Sequence, residues 1–141
     1  MGDTMIDTYS FGASALAFVI AFVAAGLFTI AFKIIYQWAT PYHERTLIRD
    51  GNTAAAITLG AALLGYVLPL ASALAHTVSL PEFAVWALLA GVIQIVAFSV
   101  VRHFLMRDFS DRIMRGEIAA ATYMASISLC VGILNAACMT A

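Results

Sequence analysis

The chain has 141 residues, of which 63% are hydrophobic and 11% are charged, and its mean hydropathy is +0.96. Soluble domains carry about a quarter charged residues, so this composition excludes a water-soluble globular domain. The formal net charge is −1, and acidic side chains are interleaved with the basic ones, which argues against a nucleic-acid partner. The length allows one compact domain, and the composition predicts an integral membrane protein.

Four apolar runs are each long enough to cross the hydrocarbon core of a bilayer, which requires about 20 helical residues. They cover residues 11–38, 53–75, 83–101 and 118–139. Only helices and closed barrels satisfy their backbone hydrogen bonds in lipid, and runs this long and this rich in Ala and Leu favour helices. The predicted fold is therefore all-α, a polytopic membrane protein with four transmembrane helices.

The positions of the cations predict the orientation in the membrane. All seven Lys and Arg residues lie around the first and third connections, whereas residues 1–10 and the second connection contain none. Because cationic loops stay in the cytoplasm, both termini are predicted to lie outside it. The first residues also lack the basic region of a signal peptide, and the apolar run that follows is too long for one.

Both cytoplasmic connections contain helix signals. Thr40-Pro41 resembles an N-cap followed by a first-turn proline, which predicts a short helix ending near Asp50. The third connection contains three acidic–basic pairs at i,i+4 spacing, which predict that the third transmembrane helix continues beyond the membrane, stabilised by ion pairs. These pairs are Arg107/Asp111, Asp108/Arg112 and Asp111/Arg115.

An internal repeat organises the chain. The segment GNTAAAITLGAALLG, which begins at Gly51, aligns without gaps with GEIAAATYMASISLC, which begins at Gly116. Each copy would be a helical hairpin, so the two copies share one orientation and are related by an axis along the membrane normal. The predicted organisation is an outward-facing N-terminal segment (1–10), a first hairpin repeat (11–76) and a second hairpin repeat (81–141).

The order of the hairpins, the GNTAAA start at Gly51 and the GAALLG pattern at Gly60 resemble the YjfL-type bacterial inner-membrane proteins, classed as domain of unknown function 350. The resemblance extends from about Ala13 to the end of the chain. It implies a multi-pass protein of the bacterial inner membrane, built from two tandem copies of the hairpin. It implies no catalytic residues.

Small residues at four-residue spacing let transmembrane helices approach closely. Such ridges occur on the helices of both hairpins, and they make two roles possible: contact within one four-helix bundle, or a surface that builds a homo-oligomer. The predicted helix-packing residues are Ala61, Gly65, Gly91 and Gly132.

Polar residues form stripes on the second and fourth helices, and they either line a narrow aqueous path or pack inside the bundle. Ser and Thr in a helix often bond the carbonyl of the preceding turn, which favours packing. The proline in the second apolar run, Pro69, predicts a kink. The glutamine in the middle of the third run, Gln94, needs a partner because an unpaired buried amide costs several kcal/mol. The candidate residues for such a path or polar network are Asn52, Thr58, Pro69, Ser72, Gln94, Glu117, Ser128 and Asn135.

The sequence contains no phosphate-binding loop, no nucleophile elbow and no acidic residue at mid-membrane depth. A proton-coupled pump generally places a carboxylate at that depth, so this class is disfavoured. Cys130 and Cys138 are too far apart on one helix to form a disulfide, and the three histidines lack ligand spacing. We therefore predict no metal site, no cofactor and no enzymatic activity.

Two function classes remain. The first is a non-catalytic, oligomeric membrane component that binds lipid or a cytoplasmic protein partner. The alternative is an oligomeric ion channel or small-solute pore, in which Glu117 would recur as a ring that favours cations, with Asn52 as its neutral repeat partner. Glu117 could instead act only as a stabiliser of the first turn of the fourth helix.

Overall fold

Six α-helices and one π-helical turn form the computed structural model, which describes residues 2–141 except for the side chains of residues 2, 3 and 6. Four helices (α1, α3, α4 and α6) are long and apolar enough to cross a membrane, which confirms the predicted all-α, polytopic class. The elements are α1 (Gly2–Ala39), α2 (Glu44–Arg49), α3 (Thr53–His76), α4 (Leu80–Val100), the π-helical turn (Val101–Leu105), α5 (Phe109–Met114) and α6 (Ile118–Cys138).

The helix α3 lies at the centre of the bundle. It packs most extensively against α6, which runs parallel to it, and it also contacts α1, α2, α4 and α5. Aromatic rings fill the space between α1, α3 and α4: the ring of Phe32 stacks on that of Tyr66 with centroids 4.3 Å apart, and Tyr36 packs on Phe98 at 4.8 Å. The core therefore combines stacked rings on one side of α3 with close backbone contact on the other.

Helix α1 is longer than predicted. It begins at Gly2 instead of near residue 11, so residues 2–10 continue the helix and do not form a separate segment. Residue 1 and the Asp3 side chain lie outside the described part. Every described side chain from Thr4 to Ile20 is exposed, and packing against α3 and α4 begins about Ala24. Only the C-terminal half of α1 thus belongs to the bundle.

The short helix of the first connection starts later than predicted. Thr40 does not cap α2, because its backbone amide donates to the Tyr36 carbonyl and its hydroxyl donates to that of Gln37, so it completes the last turn of α1. Pro41 then has no amide proton with which to continue α1. As a result α2 begins at Glu44, three residues beyond the predicted start.

The prediction of a continuous third helix is wrong. Helix α4 ends at Val100, the π-helical turn follows, and α5 begins separately at Phe109. None of the three predicted i,i+4 pairs forms a salt bridge. The break places Phe109 and Ile113 in the core with no exposed surface. Burying two large side chains is worth a few kcal/mol, more than exposed ion pairs of a few tenths each.

The two short connecting helices, α2 and α5, end in the same way. Gly51 follows α2 with φ +86°, and Gly116 follows α5 with φ +78°. In each turn the glycine amide donates three residues back, to Ile48 and Ile113 respectively. In both turns the amide of the next residue, Asn52 or Glu117, donates to the carbonyl five residues earlier. A residue with a side chain rarely adopts positive φ, so glycine is required to redirect the chain into α3 and into α6.

Candidate functional site

The closest approach in the bundle is the crossing of α3 and α6 at Gly65 and Gly132. A Cβ added to Gly132 would lie 2.7 Å from the Gly65 Cα and 2.8 Å from its carbonyl carbon. A Cβ on Gly65 would lie 2.5 Å from the Ser128 carbonyl oxygen. Both obstacles are backbone atoms, which cannot rotate away. The structure therefore places these two predicted packing residues at one point, where only glycine fits.

Gln94 lies against this crossing. Its Nε2 donates to the Ser128 carbonyl at 2.8 Å, and a Cβ on Gly65 would overlap the same nitrogen. Gly65 thus makes room both for α6 and for the amide that ties α4 to α6. The Gln94 side chain is 4% exposed, and its Oε1 is buried with no hydrogen-bond partner.

Two more of the predicted polar residues bond between helices. The Nδ2 of Asn135 donates to the Ala90 carbonyl of α4 at 3.3 Å, and the hydroxyl of Ser72 donates to the Ala136 carbonyl of α6 at 3.1 Å. Thr58 instead donates within α3, to the carbonyl of Ala54 at 2.9 Å. The sequence did not single out Tyr66, whose hydroxyl donates to the Ala87 carbonyl of α4 at 3.1 Å.

The remaining intramembrane candidates occupy packed positions. Ala61 and Pro69 are buried on α3, which continues as a helix through the proline. Gly91 is half-buried, and a Cβ there would lie 3.4 Å from Cε2 of Tyr66, an ordinary contact compared with the α3–α6 crossing. Ser128 is buried and contributes its backbone carbonyl to Gln94. The stripes therefore consist of interhelical contacts and buried positions.

Asn52 joins the first and third connections. Its Oδ1 accepts from the Ala55 amide at 3.0 Å, which caps α3, and its Nδ2 donates to the Ile113 carbonyl of α5 at 2.8 Å. An asparagine has both an acceptor and donors, so one side chain starts a helix and anchors the neighbouring connection.

Glu117, at the equivalent position before α6, makes no capping bond. Its carboxylate accepts from two nitrogens of Arg112, one of them Nε at 2.9 Å, and lies 3.9 Å from Nη2 of Arg115. The Arg112 guanidinium holds the pKa of Glu117 below its usual range. This carboxylate is paired with two cations, in contrast to the free acidic group that a cation-selecting ring requires.

A buried cluster that the sequence did not reveal lies where α2 meets the bundle. Glu44 is only 2% exposed, and neither carboxylate oxygen has a hydrogen-bond partner. Burial raises the pKa of Glu44 to about 7, although the nearby Gln37 amide and Lys33 ammonium oppose the shift. Charged residues in cytoplasmic connections are normally solvated. In the sequence around Glu44, the aromatic residue Tyr42 was the one sign of a buried environment.

Two tyrosines complete this cluster. The hydroxyls of Tyr36 and Tyr42 are buried and have no hydrogen-bond partner. Burial, reinforced by the charge of Glu44, raises the pKa of Tyr42 well above its usual value. Arg102 of the π-helical turn lies near both tyrosines, but its guanidinium donates to the Ala39 carbonyl.

Four apolar helices whose internal polar groups bond to backbone carbonyls define a polytopic α-helical membrane protein. One family model, Domain of Unknown Function (DUF350), matches residues 10–139. The UPF0719 inner membrane protein YjfL of Escherichia coli K12 is 42% identical over 127 residues, which cover 90% of this chain and 96% of that protein. YjfL of Escherichia coli O157:H7 matches to the same extent. The chain belongs to the DUF350 family. No solved structure matches it.

Proposed function

We propose that the protein is a non-catalytic component of the bacterial inner membrane that self-associates through α1. The observation that carries this proposal is the exposure of α1. Only 6% of its apolar window is buried inside the chain, compared with 56% for α3.

The length of α1 indicates that part of the helix lies outside the hydrocarbon core, where another protein helix can cover it. A helix of 38 residues is about 57 Å long, whereas the core is about 30 Å thick. Fitting all of α1 into the core would require a tilt of about 58°, beyond the range of about 0–40° found for transmembrane helices. Part of α1 therefore extends into water.

The extending part is the N-terminal end. Ala17 and Ala21 lie beside Thr77 and Ser79 of the second connection, where α3 ends and α4 begins. The preceding fifteen residues project beyond that connection by about 22 Å at 1.5 Å per residue.

The projecting end exposes several large apolar side chains among its polar ones. Met5, Tyr9, Phe11 and Leu16 are between 61% and 83% exposed. An apolar helix is stable in water when other helices cover it. A second copy of α1 has matching chemistry and length. Gly12 permits close approach of another backbone, because a Cβ added there would have no neighbour within 4 Å.

Cysteine cross-linking tests this assembly. Single cysteines at each position from 9 to 16, in a background without Cys130 and Cys138, are expected to form disulfide-linked dimers with a period of about 3.6 residues, because one face of α1 meets its copy. The matched control is a cysteine at Leu134, an exposed position on α6. Uniform absence of dimers along α1, together with a monomeric mass in neutral detergent, would contradict the proposal.

We further infer that the chain is a tandem duplication with both termini outside the cytoplasm. The helices α2 and α5 have six residues each, α3 and α6 each start two residues after the glycine of the turn, and 65 positions separate the two sets. Copies with an even number of spans share an orientation, and the cations of both connections then face the cytoplasm. Arg45, Arg49 and Arg107 are exposed there and available to anionic headgroups or a protein partner.

Labelling of intact cells tests the orientation. A single cysteine at Thr77 is expected to react with an impermeant thiol reagent added outside, whereas one at Ser110 is expected to react only after permeabilisation. Equal external labelling at both positions would reverse or abolish the inferred orientation, whatever the result of the cross-linking.

The channel alternative receives less support from the geometry. The α3–α6 crossing has no space for a methyl group, and three of the polar side chains donate to backbone carbonyls of neighbouring helices. A pore would have to form between copies. Ion flux through reconstituted protein, reduced by Glu117→Gln, would favour this alternative over a purely structural assembly.

A further inference from the structure

The buried carboxylate of Glu44 lacks a counter-charge. No Lys, Arg or His nitrogen among the described side chains lies within 4.0 Å of it, since the two ion pairs found both involve Glu117. Removing an ionised carboxylate from water costs several kcal/mol unless a cation or a proton compensates the charge. Glu44 therefore requires a positive partner from outside the chain's own side chains.

The same place concentrates unsatisfied oxygen atoms. Five buried side-chain polar atoms in the described part of the chain lack a hydrogen-bond partner, and four of them are the two Glu44 oxygens and the hydroxyl oxygens of Tyr36 and Tyr42. Most buried polar groups in proteins are hydrogen-bonded, so four in one cluster call for a ligand. All four are hard oxygen donors.

The charged and titratable groups that face Glu44 come from three elements. Lys33 of α1 interacts electrostatically with Glu44, as do Tyr36 of α1 and Tyr42, whereas Arg102 of the π-helical turn acts on the two tyrosines. His43 and Arg45 flank Glu44 at the start of α2 and line the cavity beside it. The Arg102 guanidinium is engaged by the Ala39 carbonyl, and Lys33 stays beyond salt-bridge distance. The two cations raise the local potential, but neither neutralises the carboxylate by direct contact.

We propose that the Glu44 carboxylate and the hydroxyls of Tyr36 and Tyr42 bind one small monovalent inorganic cation, Na⁺ or K⁺, at the α2 end of the bundle. One positive charge neutralises one carboxylate. A divalent ion such as Ca²⁺ usually takes six to eight oxygens, with several carboxylates among them. Lys33 and Arg102 would also repel a second positive charge more strongly.

Access to the cluster is from the surface next to α2. A cavity there is lined by Gln37, Thr40, Tyr42 and Glu44 among other residues. The four oxygens themselves are buried. A cation that binds them must therefore shed its hydration shell, and the side chains must rotate toward it. This requirement favours a small bare ion over a bulky organic ammonium group.

A proton competes with the cation for the same carboxylate. Burial raises the pKa of Glu44 to about 7 from a usual value of 4.5. The neutral form therefore stabilises the fold at low pH, and this contribution is lost as the pH rises through about 7. Above that pH, the cation supplies the missing charge. With a pKa of about 7, the apparent cation affinity is expected to be about tenfold weaker at pH 6 than at pH 8.

Thermal unfolding in neutral detergent tests the site. NaCl or KCl replaces choline chloride at constant ionic strength, at pH 8 and at pH 6. At pH 8 the unfolding midpoint of the wild-type protein is expected to rise with the Na⁺ or K⁺ concentration as a binding isotherm predicts. At pH 6 the rise needs about tenfold more salt. Glu44→Gln is expected to abolish the dependence.

The controls separate this site from general salt effects. Asp50→Asn removes an exposed carboxylate at the end of α2 and is expected to keep the full dependence. Tyr42→Phe keeps the ring beside Phe109 but loses one oxygen, so weaker cation dependence is expected even if Glu44→Gln fails to fold. Equal midpoints in all three salts at pH 8 would overturn the proposal in favour of a proton-filled cluster. Unchanged cation dependence in Glu44→Gln, or in Tyr42→Phe, would also overturn it.

Discussion

Replacing Gly132 by alanine is expected to lower the stability of the bundle by about 3 kcal/mol, the upper end of the usual range for overpacking. The added Cβ would lie 2.7 Å from the Gly65 Cα, so α3 and α6 must separate. Separation also stretches the hydrogen bond from the Ser72 hydroxyl on α3 to the Ala136 carbonyl on α6. The measurement is thermal or denaturant-induced unfolding of the purified protein in detergent.

Gly60→Ala is the matched control, because it adds the same methyl group to α3 where nothing lies within 4 Å of the new Cβ. Alanine has a higher helix propensity than glycine, so this variant is expected to be neutral or up to about 1 kcal/mol more stable. Similar losses in the two variants would show that the effect of Gly132→Ala comes from helix propensity or detergent and not from the crossing.

Phe109→Ala is expected to destabilise the protein by about 3–5 kcal/mol, the usual cost of removing a buried phenylalanine. The side chain has no exposed surface, and its ring packs edge-on against Phe98 at 5.8 Å and beside Tyr42 at 6.5 Å. It thus links the third connection to the end of α1. Loss of the ring is also expected to increase proteolysis in residues 101–116, because Phe109 anchors the break after α4.

Phe104→Ala provides the comparison for that variant. Phe104 lies five residues earlier and is 75% exposed, so its removal is expected to change the free energy of unfolding by no more than about 0.5 kcal/mol. Limited proteolysis and unfolding of both variants in the same detergent check the pair. If Phe104→Ala were as destabilising as Phe109→Ala, the third connection would be held by the membrane surface instead of by the core.

The number and type of the spans followed from the sequence because the bilayer imposes a local rule. Each run must supply about 20 apolar residues and satisfy its own backbone, whatever its neighbours do. The two turn glycines were visible for a similar reason, since Gly51 and Gly116 adopt a backbone conformation that other residues rarely take. The family was also recognisable from the order of the hairpins and the segment that follows Gly51.

The ends of the short helices in the first and third connections depended on contacts between residues distant in the chain. Local ion-pair spacing predicted a continuous helix after α4, but the burial of Phe109 and Ile113 broke it. Thr40 resembled a cap, although its hydroxyl completes α1. In the third connection, ion pairs worth tenths of a kcal/mol competed with core packing worth several times more, and only the folded chain shows which side chains reach the core.

The sequence by itself determined an α-helical membrane protein with four spans, because hydrophobic length and backbone satisfaction are properties of single segments. The tertiary structure alone decided the roles of individual polar residues, because each role depends on a partner distant in the chain. Gly65 and Gly132 meet across 67 positions, and the Gln94 amide donates to the Ser128 carbonyl 34 positions away. Glu44 belongs to the same group, because the folded chain buries its carboxylate with no cationic nitrogen of the described side chains within 4.0 Å.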